Sequence, residues 1–117
     1  MEVETISHLD VRIVRCASQI SKRDDAVDLV TACVEHGSRL LLLEPEAFSD
    51  PFFDLRTRIA GEFVQKIQSY GIRTAAVFPA DREYPERFKE FLIEAKRGRA
   101  FRAFASRSDA LDWLAAG

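Results

Sequence analysis

Apolar and polar residues alternate along the first part of the chain, which is the pattern of strands with one buried face. The alternation covers residues 3–7 and 11–17. Because only His8, Leu9 and Asp10 separate these segments, we expect them to pair as an antiparallel hairpin. Further along, residues 100–105 form another predicted strand, and the runs 39–44 and 72–78 are short, mainly apolar and bounded by turn residues. Such runs are typical of strands buried on both faces.

Apolar residues at helical spacing separate these strands and follow the last one. The first predicted helix is opened by a capping-box pattern from Ser21 to Asp24 and ended by Gly37. The second is predicted over 55–70, with Asp54 as its N-cap and Gly71 at its end. The third and fourth are opened by Pro85 and Ser106.

Helices that connect successive strands make most strand pairs parallel, while the hairpin adds one antiparallel pair. We therefore predict an α/β fold with a mixed, mostly parallel five-stranded sheet, an N-terminal hairpin and flanking helices. The length of 117 residues, with 47% hydrophobic residues, suits a single domain over 1–117.

The charge balance gives no general attraction for nucleic acid or an anionic membrane. Seventeen basic and nineteen acidic residues leave a formal net charge of -2. Five cations cluster near the third helix end and the last strand, but no exposed aromatic residues are interleaved with them: Lys96, Arg97, Arg99, Arg102 and Arg107. The apolar runs are too short to span a bilayer and the N-terminus is acidic. We expect a cytoplasmic protein that binds neither nucleic acid nor a membrane.

Neither the cysteines nor the histidines form a recognisable reactive or metal-binding motif. Cys16 and Cys33 lie in apolar segments, which favours buried thiols over a disulfide or redox pair. His8 and His36 are far apart in the sequence, and His36 suits a helix end. We therefore predict no metal site and no cofactor.

The most unusual stretch is SDPFFDLRTRIAGE, residues 49–62, at the edge of the sheet where open α/β folds bind ligands. On a helix beginning at Asp54, Arg56 falls in the middle of the apolar face. Its guanidinium could pair with Glu44 or another acidic side chain, or it could bind an exogenous carboxylate or phosphate. The candidate ligand-binding residues at this edge are Arg56, Glu44, Asp81, Arg82 and Tyr84.

The same stretch contains candidate interaction residues. Phe52 and Phe53 precede the predicted helix, where one can pack on its first turn and the other can close the core or remain exposed. Gly61, near Thr57 on one flank, permits close approach either of a neighbouring helix or of a second subunit in a homodimer.

The segment from Asp50 to Glu62, with Tyr70, the strand residues 75–78 and the ending Ala110-Leu111-Asp112-Trp113-Leu114, resembles the uncharacterised bacterial family domain of unknown function 4180. The ending is also similar to anti-sigma-factor-antagonist-like proteins, which implies a STAS-like fold. STAS antagonists carry a phosphorylatable serine after a central strand. Here Ser49 and Thr57 are the nearby hydroxyls, but the surrounding motif differs.

The resemblance implies no known reaction, and we identify no catalytic residues. The chain lacks a nucleophile with a histidine base, a glycine-rich phosphate loop and a metal-ligand set. We therefore expect a non-catalytic regulatory module that binds an unknown protein or a small anionic ligand. The alternative is a small-molecule enzyme or an anionic-metabolite-binding protein that uses the same edge.

Overall fold

A five-stranded sheet with helices on both faces forms the protein, as described by a computed structural model of residues 1–117. The strands follow one another across the sheet in sequence order: β1 (Val3–His8), β2 (Val11–Cys16), β3 (Leu40–Leu43), β4 (Arg73–Val77) and β5 (Phe101–Phe104). β1 and β2 are antiparallel, and every other neighbouring pair is parallel. The predicted fold class is confirmed.

The helices divide unequally between the two faces of the sheet. Their bounds are α1 (Asp25–Glu35), α2 (Asp50–Phe53), α3 (Ile59–Ser69), α4 (Glu86–Ala95) and α5 (Arg107–Ala116). The larger core cluster, of 24 buried residues, contains the apolar faces of α1, α3 and α4. The smaller cluster, of seven, contains those of α5. The apolar β3 therefore contributes to both: Leu41 and Leu43 face one cluster, and Leu42 faces the other.

The start of α1 differs from the predicted capping box. Ser21 was expected to be the N-cap, but the helix begins at Asp25 and the cap residue Asp24 makes no side-chain bond. The buried carboxylate of Asp25 instead accepts hydrogen bonds from the backbone N–H groups of Ser21 and Lys22, at 2.9 and 3.2 Å. The carboxylate fixes the turn that precedes the helix.

The predicted continuous helix over 55–70 is also wrong. The chain forms the short α2, then a 3-10 turn at Leu55–Thr57, and only then α3. Asp54 is a cap, but of the 3-10 turn, where its side chain accepts from the N–H of Arg56. Arg58 adopts a left-handed backbone with φ 65°, which prevents the turn from continuing directly into α3.

Arginines near the amino edge of the sheet donate to carbonyls at or just beyond the ends of four helices. Arg12 donates to His36, Arg39 to Tyr70, Arg73 to Trp113 and Arg102 to Gly98, at distances of 2.7–3.2 Å. Each guanidinium lies where the helix presents unpaired carbonyls and partial negative charge. These arginines therefore join each helix end to the sheet.

Candidate functional site

Segment 45–58 crosses the carboxyl edge of the sheet and is fixed there by aromatic packing. Phe52 and Phe53 are both buried, so the interpretation that one of them is exposed is wrong. Their rings lie within 4.8–6.3 Å of Phe48, and Phe53 lies 5.0 Å from Phe88. The aromatic cluster fills the space beneath the segment and leaves only its outer surface accessible.

Arg56 does not reach the core or Glu44, which corrects the prediction made for it. Its Nε and Nη2 atoms donate to the two carboxylate oxygens of Asp54, both at 3.0 Å, and the pair is on the protein surface. The expected orientation required a helix running from Asp54. Because the 3-10 turn has a different angular spacing and ends at Arg58, Arg56 points outward instead.

Glu44 is the buried charge at this edge, and two arginines that the sequence did not identify hold it. Its side chain is 5% exposed, and Oε2 accepts from Arg15 Nε at 2.6 Å and Arg107 Nε at 2.8 Å. Arg15 also donates to Glu4 at 2.8 Å. The cluster joins β1, β2, the end of β3 and the start of α5.

Two opposing effects act on the pKa of Glu44. Burial disfavours the charged carboxylate, but hydrogen bonds from Arg107 and Arg15 outweigh it and hold the pKa below its ordinary value. The same partnership raises the pKa of Arg15. Glu44 is therefore an ionised structural group at neutral pH, with neither the position nor the protonation state of a general acid.

The sequence offered only a weak signal for this cluster. Arg15 interrupts the apolar pattern of β2, and Arg107 is the first residue of α5, where a cation is unfavourable for the helix dipole. Arg107 was assigned among the basic residues of a nucleic-acid hypothesis. Its structural partner lies 63 positions away, which local spacing cannot identify.

Asp81, Arg82 and Tyr84 lie in the loop after β4 and do not converge on Glu44 or Arg56. The Tyr84 hydroxyl donates to the carbonyl of Pro79 at 2.8 Å, and burial raises its pKa. The Arg82 guanidinium lies 4.6 Å from the centre of the Phe53 ring and has no carboxylate partner. Asp81 is exposed. The five predicted ligand-binding residues therefore form three separate groups.

The guanidinium of Arg58 is exposed and has no ion-pair or hydrogen-bond partner in the protein. Glu62, four residues after Arg58, contacts Arg23 at 3.4 Å and not Arg58. A non-glycine residue with a left-handed backbone is conformationally strained, and here the strained residue, Arg58, carries an exposed positive charge.

Ser49 and Thr57, the two hydroxyls compared above with the phosphorylatable serine of STAS antagonists, both contact backbone carbonyls. The buried Ser49 donates to Ile20 at 2.7 Å. Thr57 Oγ1 lies 2.8 and 2.7 Å from the carbonyl oxygens of Pro51 and Asp54, and it accepts from the N–H of Ile59. Both hydroxyls therefore stabilise the local turns.

Gly61 is exposed on α3, and a Cβ added there would have no atom within 4 Å. The expectation that a neighbouring helix of the same domain approaches closely at this glycine is therefore wrong. The alternative, close approach of a second subunit, stays a prediction.

None of the five main cavities is lined by Glu44, Arg56, Asp81 or Arg82. Tyr84 contributes to a mainly apolar groove of about 210 Å³ beside β5. That volume is smaller than the roughly 300–1,000 Å³ of ordinary small-molecule pockets. The larger cavities lie elsewhere, one of about 500 Å³ being lined by polar residues of α3 and of the turn before α1.

No three His, Cys, Asp or Glu side chains lie together in a way that could hold a metal ion. Cys16 and Cys33 are free and buried. None of the helices combines the length and apolar character needed to cross a membrane.

Comparison with known proteins identifies the chain by family alone. No curated protein matches it. A family model described as a domain of unknown function, DUF4180, matches residues 9–114, which include β2 to β5, the first four helices and most of α5. The resemblance in the segment from Asp50 to Glu62 is thus part of a match over nearly the whole sequence. The chain belongs to the DUF4180 family.

Proposed function

We propose that this protein is a non-catalytic, STAS-like regulatory module that binds a partner protein through the outer surface of segment 50–58. This 50–58 surface consists of exposed residues of the segment and the adjoining arginine of the next loop: Asp50, Pro51, Arg56, Thr57, Arg58 and Arg82. The order of strands and the antiparallel hairpin are consistent with a STAS-like arrangement.

The observation that carries the proposal is the conformation of Arg58. Local backbone strain is commonly retained where it serves a binding site, and here it sets the direction of an unpaired guanidinium. The buried Phe52 and Phe53 anchor the segment beneath it. A partner would therefore meet a surface whose backbone needs little ordering on binding, which lowers the entropic cost of association.

The charges favour an acidic partner surface. Arg58 and Arg82 have no carboxylate partner, whereas Arg56 is already neutralised by Asp54. Two free guanidinium groups can form bidentate hydrogen bonds with carboxylates of a partner. A protein surface suits this arrangement better than a small anion because the arginines lie on an open surface and line none of the main cavities.

The proposal is tested by affinity capture from the source cell with quantitative mass spectrometry. Wild type and an Arg58→Glu/Arg82→Glu double variant are compared, with Arg97→Glu as a matched charge reversal on another exposed surface. We expect a specific partner that is retained by wild type and Arg97→Glu and lost from the double variant by at least about tenfold, which corresponds to about 1.4 kcal/mol of binding free energy.

A parallel thermal-shift screen with phosphate and small carboxylates tests the alternative that the surface binds a small anion. Stabilisation by one of these anions that disappears in the double variant, without any charge-dependent protein partner, would replace the protein-binding proposal with anionic-ligand binding. Equal capture of every partner by all three proteins, with no anion effect, would exclude the 50–58 surface as the binding site.

A further inference from the structure

The outer edge of β1 is an unpaired strand edge that extends over six residues. β1 pairs with β2 in a regular register from Val3 to His8, without a bulge. Nothing pairs with its other side, because β1 is the first strand of the sheet. The edge therefore presents free backbone N–H and C=O groups.

The residues that carry these free groups follow from the hairpin geometry. Leu9 and Asp10 form a two-residue turn with positive φ at both positions, so His8 and Val11 close the hairpin as a hydrogen-bonded pair. Even-numbered residues of β1 consequently bond toward β2. Glu2 continues this pattern, since both its N–H and its C=O contact Ser18 Oγ. The backbone groups of Val3, Thr5 and Ser7 point to the open side.

Proteins usually protect such an edge with a proline, a lysine, a bulge or a very short strand. β1 has none of these features. The opposite edge strand, β5, has only four residues and is therefore protected by its shortness. The unprotected edge is therefore that of β1.

We propose that β1 pairs in antiparallel fashion with β1 of a second copy of the chain, about a two-fold axis at Thr5. This register places Thr5 opposite Thr5 and Val3 opposite Ser7 of the partner. Since the residues of a hydrogen-bonded antiparallel pair exchange two bonds, all free groups of Val3, Thr5 and Ser7 are satisfied. The two sheets join into one, and both copies contribute the same surface, as a closed dimer requires.

Side chains along the edge favour this register over the registers whose two-fold axis lies at Glu4 or Ile6. The favoured register brings Met1 beside Leu9 of the partner, two large apolar side chains that are 45% and 71% exposed in the monomer. A shift of the axis to Glu4 would place two glutamates opposite each other, which is unfavourable. A shift to Ile6 would leave the backbone groups of Val3 opposite the turn instead of a strand residue.

Sedimentation of the full chain tests the proposal with Thr5→Pro and Thr5→Ala. Proline removes an outward-facing N–H and is tolerated on an edge strand, whereas alanine keeps that donor. We expect wild type and Thr5→Ala to sediment at about twice the chain mass of 13.3 kDa, and Thr5→Pro at the mass of a single chain with an unchanged circular dichroism spectrum.

Oxidative cross-linking tests the register independently of strand stability. Thr5→Cys places two cysteines across the axis, with Cα atoms about 5.5 Å apart, within the range of a disulfide. Ser7→Cys is the matched control, because its two copies are displaced by four residues, or about 14 Å. We expect a covalent dimer from Thr5→Cys and none from Ser7→Cys.

A wild-type chain that sediments as a monomer at its highest soluble concentration would overturn the proposal. So would a dimer that persists in Thr5→Pro, or equal cross-linking of the two cysteine variants. Dissociation by Gly61→Leu with no effect of Thr5→Pro would assign the dimer contact to the exposed flank of α3 instead.

Discussion

Individual charged residues at the carboxyl edge differ in how deeply they are buried. Glu44 is buried and has two arginine partners, whereas Arg56 and Asp54 form a pair on the surface. A buried charge depends strongly on its partners, because an unpaired one is costly. An exposed pair is screened by solvent and contributes little. The pair that contains Arg56, the arginine that the sequence emphasised, is therefore less important for stability than the Glu44 cluster, which the sequence did not reveal.

Replacing Glu44 by Gln is expected to lower the free energy of unfolding by about 1.5–3 kcal/mol, the range for hydrogen bonds to charged groups. The change keeps the shape of the side chain but removes the charge that Arg15 and Arg107 share. Urea denaturation measures the effect. Asp54→Asn, which retains a capping oxygen, is the surface control and should leave the midpoint unchanged. Equal midpoints for wild type and Glu44→Gln would show that the cluster adds no net stability.

The contribution of Glu44 should depend on pH in a defined direction. Because its pKa is lower in the folded state than its ordinary value of 4.5, its stabilisation is complete above that value and is lost as the pH falls through the folded-state pKa. The difference in unfolding free energy between wild type and Glu44→Gln should therefore be constant near neutrality and shrink below about pH 4.5. A difference that grows on acidification would contradict the assigned direction.

The two thiols should be unreactive in the folded protein. Burial raises the pKa of Cys16 and raises that of Cys33 to about 11. Both the low thiolate fraction and the lack of access slow reaction with an aromatic disulfide reagent at pH 8. We expect no rapid labelling in the native state and labelling of both thiols in urea. Fast native labelling of either cysteine would contradict the assigned burial.

At the scale of elements, local patterns identified most helices but not the break between α2 and α3. Pro51 and Asp54 are turn or cap residues, and both signals were present in the sequence. The left-handed backbone of Arg58 had no such signal, because arginine seldom adopts it. The wrong position predicted for Arg56 followed directly from the backbone conformation of Arg58, which the sequence did not reveal.

The helix-end arginines are a second feature that local patterns did not reveal. Arg39 and Arg73 each occur two residues after a glycine that ends a helix, yet their acceptors are carbonyls at the ends of other helices. Arg39 contacts the end of α3, and Arg73 contacts the last turn of α5. Such contacts depend on how the helices cross the sheet, which only the tertiary structure determines.

Arg39→Met is expected to destabilise the protein by about 0.5–1 kcal/mol, since it removes a hydrogen bond and a favourable charge at a helix end. Arg12→Met should have a similar and additive effect, because it acts on α1 rather than α3. Arg97→Met, which removes an exposed arginine paired only with Glu94, is the control. Thermal unfolding measures all three. Equal loss of stability from Arg97→Met would refute a specific role for the helix ends.

For the whole molecule, the sequence predicted the order of elements and the mixed sheet because these depend on short-range alternation, apolar runs and glycine stops. The candidate site was predicted only in part. Its position at the carboxyl edge was inferred from the fold, and Glu44 was named there as a candidate ligand-binding residue, whereas the structure shows it buried in an ion-pair cluster. Its partners Arg15 and Arg107 come from β2 and α5, and no local pattern brings them together.

The two proposed surfaces would act together in a dimer. Pairing through β1 gives an assembly with two copies of the 50–58 surface. A partner with two acidic sites could then bind both copies, and the second contact would benefit from a raised effective concentration. A partner with one site would bind each copy independently.

The proposed binding surface depends on the claim that the backbone of Arg58 is strained. This claim is tested most directly by the unfolding free energy of Arg58→Gly. Glycine adopts the left-handed conformation without the Cβ penalty, so we predict a gain of about 0.5–1 kcal/mol in urea denaturation. Arg58→Ala, which loses the charge but keeps the strain, should match wild type. An Arg58→Gly variant no more stable than Arg58→Ala would contradict the claim.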